Sequence, residues 1–173
     1  MKTEIKYGFN ISVAGFAFIC AEFLLGLHTK FVKWHPMVSW VAMLIPVLGL
    51  IFAIRQKRYE LGGFISYKKS LRTGVLVSIV SAIVNPLFIF IYYKIVNPGW
   101  TAFMVEEARK FAISSGKDPF EAMKNAEIYF SMKSYMIQSA LGALGGGILI
   151  SLILAYFLQK KEIKSEENQL IVE

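Results

Sequence analysis

The sequence contains only one cysteine, Cys20, in 173 residues. A single cysteine cannot form a disulfide within the chain, and it cannot build a cysteine-based metal cluster. Charged residues are also scarce at 18%, whereas hydrophobic residues make up 55%. Soluble domains are usually about 45–50% apolar. The excess of apolar residues therefore indicates a membrane protein.

Motifs of the common enzyme classes are missing as well. The sequence has no phosphate-binding glycine loop, no nucleophile elbow around a serine and no pair of acids within one apolar run. His28 and His35 flank a short connection with no carboxylate motif between them, so we expect no metal or haem site there. We predict that the protein is not an enzyme and has no cofactor.

Long apolar runs are the main feature that is present. Four of them approach or exceed the roughly 20 residues needed to cross about 30 Å of hydrocarbon. They cover residues 7–27, 37–54, 74–96 and 136–158. We predict an all-α integral membrane protein, a four-transmembrane-helix bundle that forms a single domain over residues 1–160.

The distribution of basic residues indicates the orientation. Lysine and arginine are concentrated in the N-terminal segment, in the connection 55–73 and after residue 158, whereas the first connection holds only Lys30 and Lys33. The positive-inside rule therefore predicts that both termini lie in the cytoplasm. The membrane is predicted to be the cell inner membrane. Residues 161–173 are predicted to form a disordered cytoplasmic tail. The net charge of +7 then serves topology and lipid headgroups, and we expect no nucleic acid partner.

The long connection before the fourth run has the pattern of two helices. "WTAFMVEEARKFAISSG" carries apolar residues at helical spacing, and "DPFE" offers Asp118 as N-cap and Pro119 at the first helical position. No helix breaker follows, so one helix is predicted from residue 119 to about 158, roughly 60 Å long. We predict an extramembrane helical hairpin over about 100–135. It would be a lid over the bundle, an element that binds a partner or ligand, or loose surface.

Small residues recur on one face of the first, third and fourth runs. Such residues allow membrane helices to approach closely. The candidate helix-packing residues are Gly8, Ser12, Gly15, Gly74, Ser78, Ser81, Gly142 and Gly146. They predict that three of the four helices meet along a shared seam.

Glu22 is an acid within the first apolar run, on the face that carries the small residues. A charge in hydrocarbon costs on the order of 2.5–3.5 kcal/mol on insertion scales, so we expect Glu22 to point into the bundle. Asn85, Tyr92 and Gln138 lie within about a helical turn of its depth. His28 is an alternative partner further out. The candidate polar site would act as structural hydrogen-bonding groups, as a proton or cation site, or as a contact with water.

The layout and two short motifs resemble a known family. "GGFISYKKSLRTG" leads into the third run, "NPGW" follows it, and a long helical connection precedes the fourth. These features are similar to the bacterial membrane family called Domain of Unknown Function 4199 (DUF4199), over about residues 1–160. The resemblance implies a four-helix inner-membrane protein and supplies no activity, ligand or catalytic residue.

Two functional hypotheses remain open. The favoured one is a non-enzymatic scaffold or helper that binds membrane lipids or a membrane protein partner. The alternative is a small homo-oligomeric transporter or proton-coupled carrier that uses Glu22, with Pro46 and Pro86 as helix breaks near a pathway.

Overall fold

The computed structural model describes residues 2–160, so the predicted tail 161–173 lies outside the described residues. Within the described range the chain is helical with no β-strand, apart from an isolated bridge between Ile65 and Lys160. The predicted all-α class is confirmed.

Seven α-helices form the chain between residues 2 and 160. They are α1 (Thr3–Leu24), α2 (His35–Ser39), α3 (Leu44–Glu60), α4 (Tyr67–Ile91), α5 (Trp100–Ser114), α6 (Pro119–Tyr129) and α7 (Met132–Leu158). One 3-10 segment (Val32–Trp34) precedes α2 and a second (Trp40–Met43) joins α2 to α3, so these elements form one continuous helical stretch. A π-helical turn (Tyr92–Val96) extends α4.

Four helical stretches are long and apolar enough to cross a membrane, which confirms the number of predicted spans. They are Thr3–Leu24, Val32–Glu60, Tyr67–Val96 and Met132–Leu158. The second stretch begins five residues earlier than the apolar run that starts at residue 37. As a result, His35 belongs to a span and not to a connection.

Pro46 explains the irregular start of the second span. A proline has no N–H to donate to the carbonyl four residues earlier, and its ring crowds that carbonyl. The helix therefore runs as a 3-10 segment over Trp40–Met43, and α3 begins at Leu44. Pro86, by contrast, lies inside α4.

The four spans run alternately up and down, which gives the bundle two different ends. The terminal end holds the start of α1, the end of α3 and the end of α7, where the backbones of Ile65 and Lys160 exchange two hydrogen bonds of 2.9 Å. The opposite end holds the end of α1 and the pair α5–α6, and is called the hairpin end below.

Paired glycines and serines hold α4 against α7. A Cβ on Gly74 would lie 2.2 Å from Ser151 Oγ, and a Cβ on Gly147 would lie 2.2 Å from Ser78 Oγ. Each serine donates its hydroxyl to a carbonyl of its own helix, Ser78 to Gly74 at 2.8 Å and Ser151 to Gly147 at 2.6 Å. The two helices therefore approach closely without leaving a buried hydroxyl unpaired.

The contact between α1 and α4 depends on Gly8. A Cβ at this position would lie 2.6 Å from Val80 Cβ. The Gly8 carbonyl accepts hydrogen bonds from Ser81 Oγ at 3.0 Å and from Ser12 Oγ at 3.1 Å. Gly8, Ser12, Gly74, Ser78 and Ser81 thus lie at helix contacts.

Three other predicted packing glycines do not lie at close helix contacts. A Cβ added to Gly15, Gly142 or Gly146 would meet no atom within 4 Å. On α7 the close approach is made by Gly147, a residue that faces about 100° away from Gly146 around the helix. The predicted packing face of α7, which carries Gly142 and Gly146, therefore lies next to the face that makes the close contact.

The single helix predicted from residue 119 to about 158 is interrupted. α6 ends at Tyr129, and Ser131 caps the start of α7, where its Oγ accepts a hydrogen bond of 3.2 Å from Ser134 N–H. The Phe130 carbonyl at the break accepts from Tyr93 Oη at 2.9 Å and from Thr101 Oγ1 at 2.8 Å. The break therefore anchors the helices α5 and α6 to the end of α4.

α5 and α6 pack against each other across a turn at Gly116, whose φ is 66°. At the start of α6, Asp118 accepts the Phe120 N–H at 2.8 Å, and Pro119 is the first helical residue. The helical pair between the third and fourth spans is thus present. Its position outside the membrane stays a prediction.

Candidate functional site

Glu22 lies in the last turn of α1 and is only 5% exposed. Its Oε1 accepts a hydrogen bond of 2.7 Å from Ser39 Oγ. Its Oε2 lies 3.7 Å from His28 Nε2 and 3.9 Å from His35 Nε2. These four residues are called the Glu22 cluster below.

The turn after α1 places His28 next to Glu22. Leu27 N–H donates to Glu22 O at 3.0 Å, and Gly26 N–H donates to Phe23 O at 3.0 Å. This is a Schellman ending, which requires a residue with positive φ, and Gly26 has a φ of 78°. The chain therefore turns back at Gly26, and His28 is directed into the bundle.

The first turns of the second span supply the other two members. His35 and Ser39 are the first and last residues of α2, four positions apart, so their side chains share one helix face. That face is directed at Glu22, because Ser39 Oγ donates to its carboxylate and His35 Nε2 lies 3.9 Å from it. The second span therefore packs against the end of α1 through a polar contact.

His28 is the most buried member, with 1% exposure. Its Nδ1 is hydrogen-bonded to Tyr92 Oη, and Tyr92 Oη accepts a hydrogen bond of 3.1 Å from Asn97 Nδ2. The imidazole ring packs on Trp100, with 4.7 Å between ring centroids. Its Nε2 has no hydrogen-bond partner within residues 2–160 and faces Glu22 and His35.

Of the four residues predicted to form the polar site, only Glu22 and Tyr92 lie in the same cluster. Tyr92 joins the Glu22 cluster through His28, the residue considered as an outer alternative. Asn85 lies in the wall of a cavity elsewhere in the bundle. Gln138 is exposed and donates to Ser134 Oγ at 2.8 Å on its own helix.

Sequence reasoning missed His35 and Ser39 as partners of Glu22. His35 precedes the second apolar run and therefore looked like part of a connection, whereas Ser39 lies within that run near its start. Their four-residue spacing was the available signal, because it places a histidine and a serine on one face of any helix that starts early. The carboxylate sought between the two histidines comes instead from α1, ahead of both.

A cavity of about 350 Å³ lies between the four spans. All four contribute to its wall, which is mainly apolar and includes Gly15, Asn85, Gly142 and Gly146. Glu22 is not among its lining residues. The bundle therefore contains two separate features, a cavity at mid-depth and the Glu22 cluster nearer the hairpin end.

The comparisons with known proteins give one match. The model of the family described as "Protein of unknown function (DUF4199)" matches residues 6–160. No curated protein and no solved structure matches the chain.

Proposed function

Since the chain belongs to the DUF4199 family of proteins of unknown function, we propose from its own geometry that it is a non-enzymatic inner-membrane helper that binds a lipid. The cavity between the four spans carries this proposal. An acyl chain would occupy the cavity, and the bundle would present or hold the lipid for a membrane partner. Both termini face the cytoplasm in this arrangement.

The wall of the cavity suits an apolar occupant. Its volume of about 350 Å³ falls within the roughly 300–1,000 Å³ typical of small-molecule sites. Its serine hydroxyls are engaged by backbone carbonyls, Ser78 by Gly74 and Ser81 by Gly8. Satisfied hydroxyls do not require a polar ligand. A hydrocarbon chain therefore fits the wall better than a charged solute.

Glycines create much of the space. An added Cβ at Gly15, Gly142 or Gly146 would meet nothing within 4 Å, and all three residues line the cavity. A Cβ atom could therefore be added at these positions without a clash. That glycines stand here although close packing does not require them supports a role for the empty volume.

The carrier hypothesis has less support. It required Glu22 to border the route of a substrate, but the acid lies outside the cavity wall and is enclosed by Ser39, His28 and His35. A carrier whose protonating group does not contact its cavity lacks the link that would couple the two. Proton flux into liposomes that depends on Glu22, abolished in Glu22→Gln, would restore this alternative.

The charge distribution supports the proposed orientation. Lys68, Lys69 and Arg72 begin α4 at the terminal end, and Lys57 and Arg58 end α3 there. Basic residues on the cytoplasmic side interact favourably with anionic headgroups. A lipid held between the spans would have such residues close to one leaflet.

Filling the cavity tests the proposal. Gly146→Phe places a ring in the open volume, whereas the control Gly145→Phe places the same ring at an exposed position on the same helix that does not line the cavity. The full chain is reconstituted with a phospholipid that carries a photoreactive acyl chain, and labelled peptides are mapped by mass spectrometry. We expect labelling near Asn85 to fall about tenfold in Gly146→Phe, equivalent to ~1.4 kcal/mol of binding.

The control defines the opposite outcome. Gly145→Phe should keep the labelling of the unmodified chain at the cavity wall. Equal labelling near Asn85 in both variants, or labelling confined to outward-facing positions of the spans in the unmodified chain, would contradict a lipid in the cavity.

A further inference from the structure

We propose that Glu22, His28 and His35 bind a divalent transition-metal ion, with Zn²⁺ as the ion used to test it. One possible ligand atom from each of the three residues lies within 4.8 Å of the other two, and Glu22 Oε2 is close to both histidine Nε2 atoms. An ion placed among them would be held by two imidazole nitrogens and a carboxylate oxygen. The site is separate from the proposed lipid cavity.

The distances from Glu22 Oε2 to the two histidine nitrogens are too long for hydrogen bonds and are close to those between the ligands of one metal ion. Glu22 Oε2 is 3.7 Å from His28 Nε2 and 3.9 Å from His35 Nε2, beyond the length of a direct hydrogen bond. Four ligands around Zn²⁺, with bonds of about 2.1 Å, stand about 3.4 Å apart. A small inward movement of the side chains brings the three atoms to that spacing.

The unpartnered nitrogen of His28 is an independent sign of a missing ligand. Its Nε2 is buried, makes no hydrogen bond within residues 2–160 and faces Glu22 and His35. Buried polar atoms are nearly always paired, and each exception calls for an explanation such as an ion. A metal bonded to this nitrogen supplies the partner that the protein does not.

Hydrogen bonds from surrounding residues orient His28 and Glu22 for metal binding. His28 Nδ1 is engaged by Tyr92 Oη, which is itself held by Asn97 Nδ2 at 3.1 Å. When the Nδ1–H donates to Tyr92, the lone pair of Nε2 is free for a metal. Ser39 Oγ holds Glu22 Oε1 at 2.7 Å and leaves Oε2 directed at the histidines. Metal ligands in proteins are commonly oriented by such outer partners.

The donor set indicates the class of ion. Imidazole suits zinc, iron, copper and nickel, whereas calcium and magnesium prefer oxygen ligands only. Two histidines and one carboxylate provide three protein ligands and leave a coordination position open, as in many reactive zinc and iron sites. The side chain of His35 is 25% exposed, so an ion can reach the site from its side.

The chain makes the experiment unusually clean, because His28 and His35 are its only two histidines. The full chain is purified in detergent with a histidine-free affinity tag, stripped with a chelator and titrated with Zn²⁺, and bound zinc is counted after dialysis. We expect a single ion per chain. An excess of Ca²⁺ should not displace it.

Matched variants locate the ion. Glu22→Gln keeps the shape of the side chain and removes the anionic ligand, and His35→Gln removes a ligand that is not fully buried. Each should weaken zinc binding by more than the roughly 10–100-fold that loss of an outer-shell partner costs, which is the effect expected for Tyr92→Phe. Glu121→Gln, an acid near the start of α6, is the control and should bind like the unmodified chain.

The outcomes are decisive either way. A single bound ion that is lost in both Glu22→Gln and His35→Gln supports the site, and neither variant alters the fully buried His28. No bound zinc, or binding that survives in either variant, overturns it. Gly146→Phe should bind zinc normally, so failure of the lipid proposal and failure of the metal proposal are separable.

Discussion

The two acids at opposite ends of α1 have different surroundings. Near the start of the helix, Glu4 Oε1 lies 3.0 Å from Lys57 Nζ, which also approaches Glu60 at 3.6 Å. In the last turn, Glu22 Oε2 lies at 3.7 Å and 3.9 Å from two histidine nitrogens. The first acid has a direct ionic partner, whereas the second accepts a hydrogen bond from Ser39 and has both histidine nitrogens beyond hydrogen-bond distance.

This difference distinguishes Glu4, which forms an ion pair that stabilises the bundle, from Glu22, which belongs to the proposed metal site. At the terminal end, the lysine satisfies Glu4 and completes the contact between α1 and α3. At the hairpin end, Tyr92 holds His28 and Ser39 holds Glu22, and the buried His28 Nε2 has no hydrogen-bond partner among residues 2–160. Depth alone does not determine the role of an acid in a span; the chemistry of its neighbours does.

The largest expected effect is on stability in the presence of zinc. An ion that binds only the folded state stabilises it by about 4 kcal/mol at a thousandfold excess over the dissociation constant. We expect Zn²⁺ to raise the midpoint of thermal unfolding in detergent for the unmodified chain and for Glu4→Gln, but not for Glu22→Gln. A zinc response that is lost in Glu4→Gln and kept in Glu22→Gln would reverse the two roles.

A smaller effect is expected without metal. Lys57→Met leaves Glu4 without its cation, and an uncompensated charge of this kind costs about 1–3 kcal/mol of stability. His35→Gln removes a side chain that makes no direct hydrogen bond to Glu22, so its cost should be below about 1 kcal/mol. Unfolding midpoints of the two chelator-treated variants check this order. A greater loss in His35→Gln than in Lys57→Met would show that the cluster is already a stabilising pair without an ion.

The four spans could be predicted from the sequence because the thickness of the bilayer determines how long and how apolar a membrane helix must be. The inward direction of the Glu22 side chain could be predicted for a similar reason, because the helix face with Gly8 and Ser12 was expected to pack against another helix. Both predictions depend on a single helix and its solvent. Neither needs the positions of other elements.

The partners of Glu22 could not be predicted because they depend on turn geometry. His28 reaches the acid only because α1 ends at Leu24 and Gly26 reverses the chain. His35 reaches it only because the second span starts at Val32, ahead of the apolar run. A shift of a few residues at either helix end would have separated all three side chains.

The break before α7 was missed for a different reason. It needs no glycine or proline, because Ser131 caps the new helix while Tyr93 and Thr101 bind the exposed Phe130 carbonyl. Serine is common both inside membrane helices and at helix starts. Only the tertiary partners of the carbonyl decide between the two.

X-ray absorption spectroscopy at the zinc edge on the purified, zinc-loaded chain tests the central claim most directly, that Glu22, His28 and His35 form one metal site. We predict nitrogen and oxygen neighbours at about 2.0–2.2 Å, with outer-shell scattering from two imidazole rings. In His35→Gln, the bound zinc should be lost, and the imidazole scattering should disappear with it. A spectrum with oxygen neighbours alone and no imidazole scattering would contradict the claim.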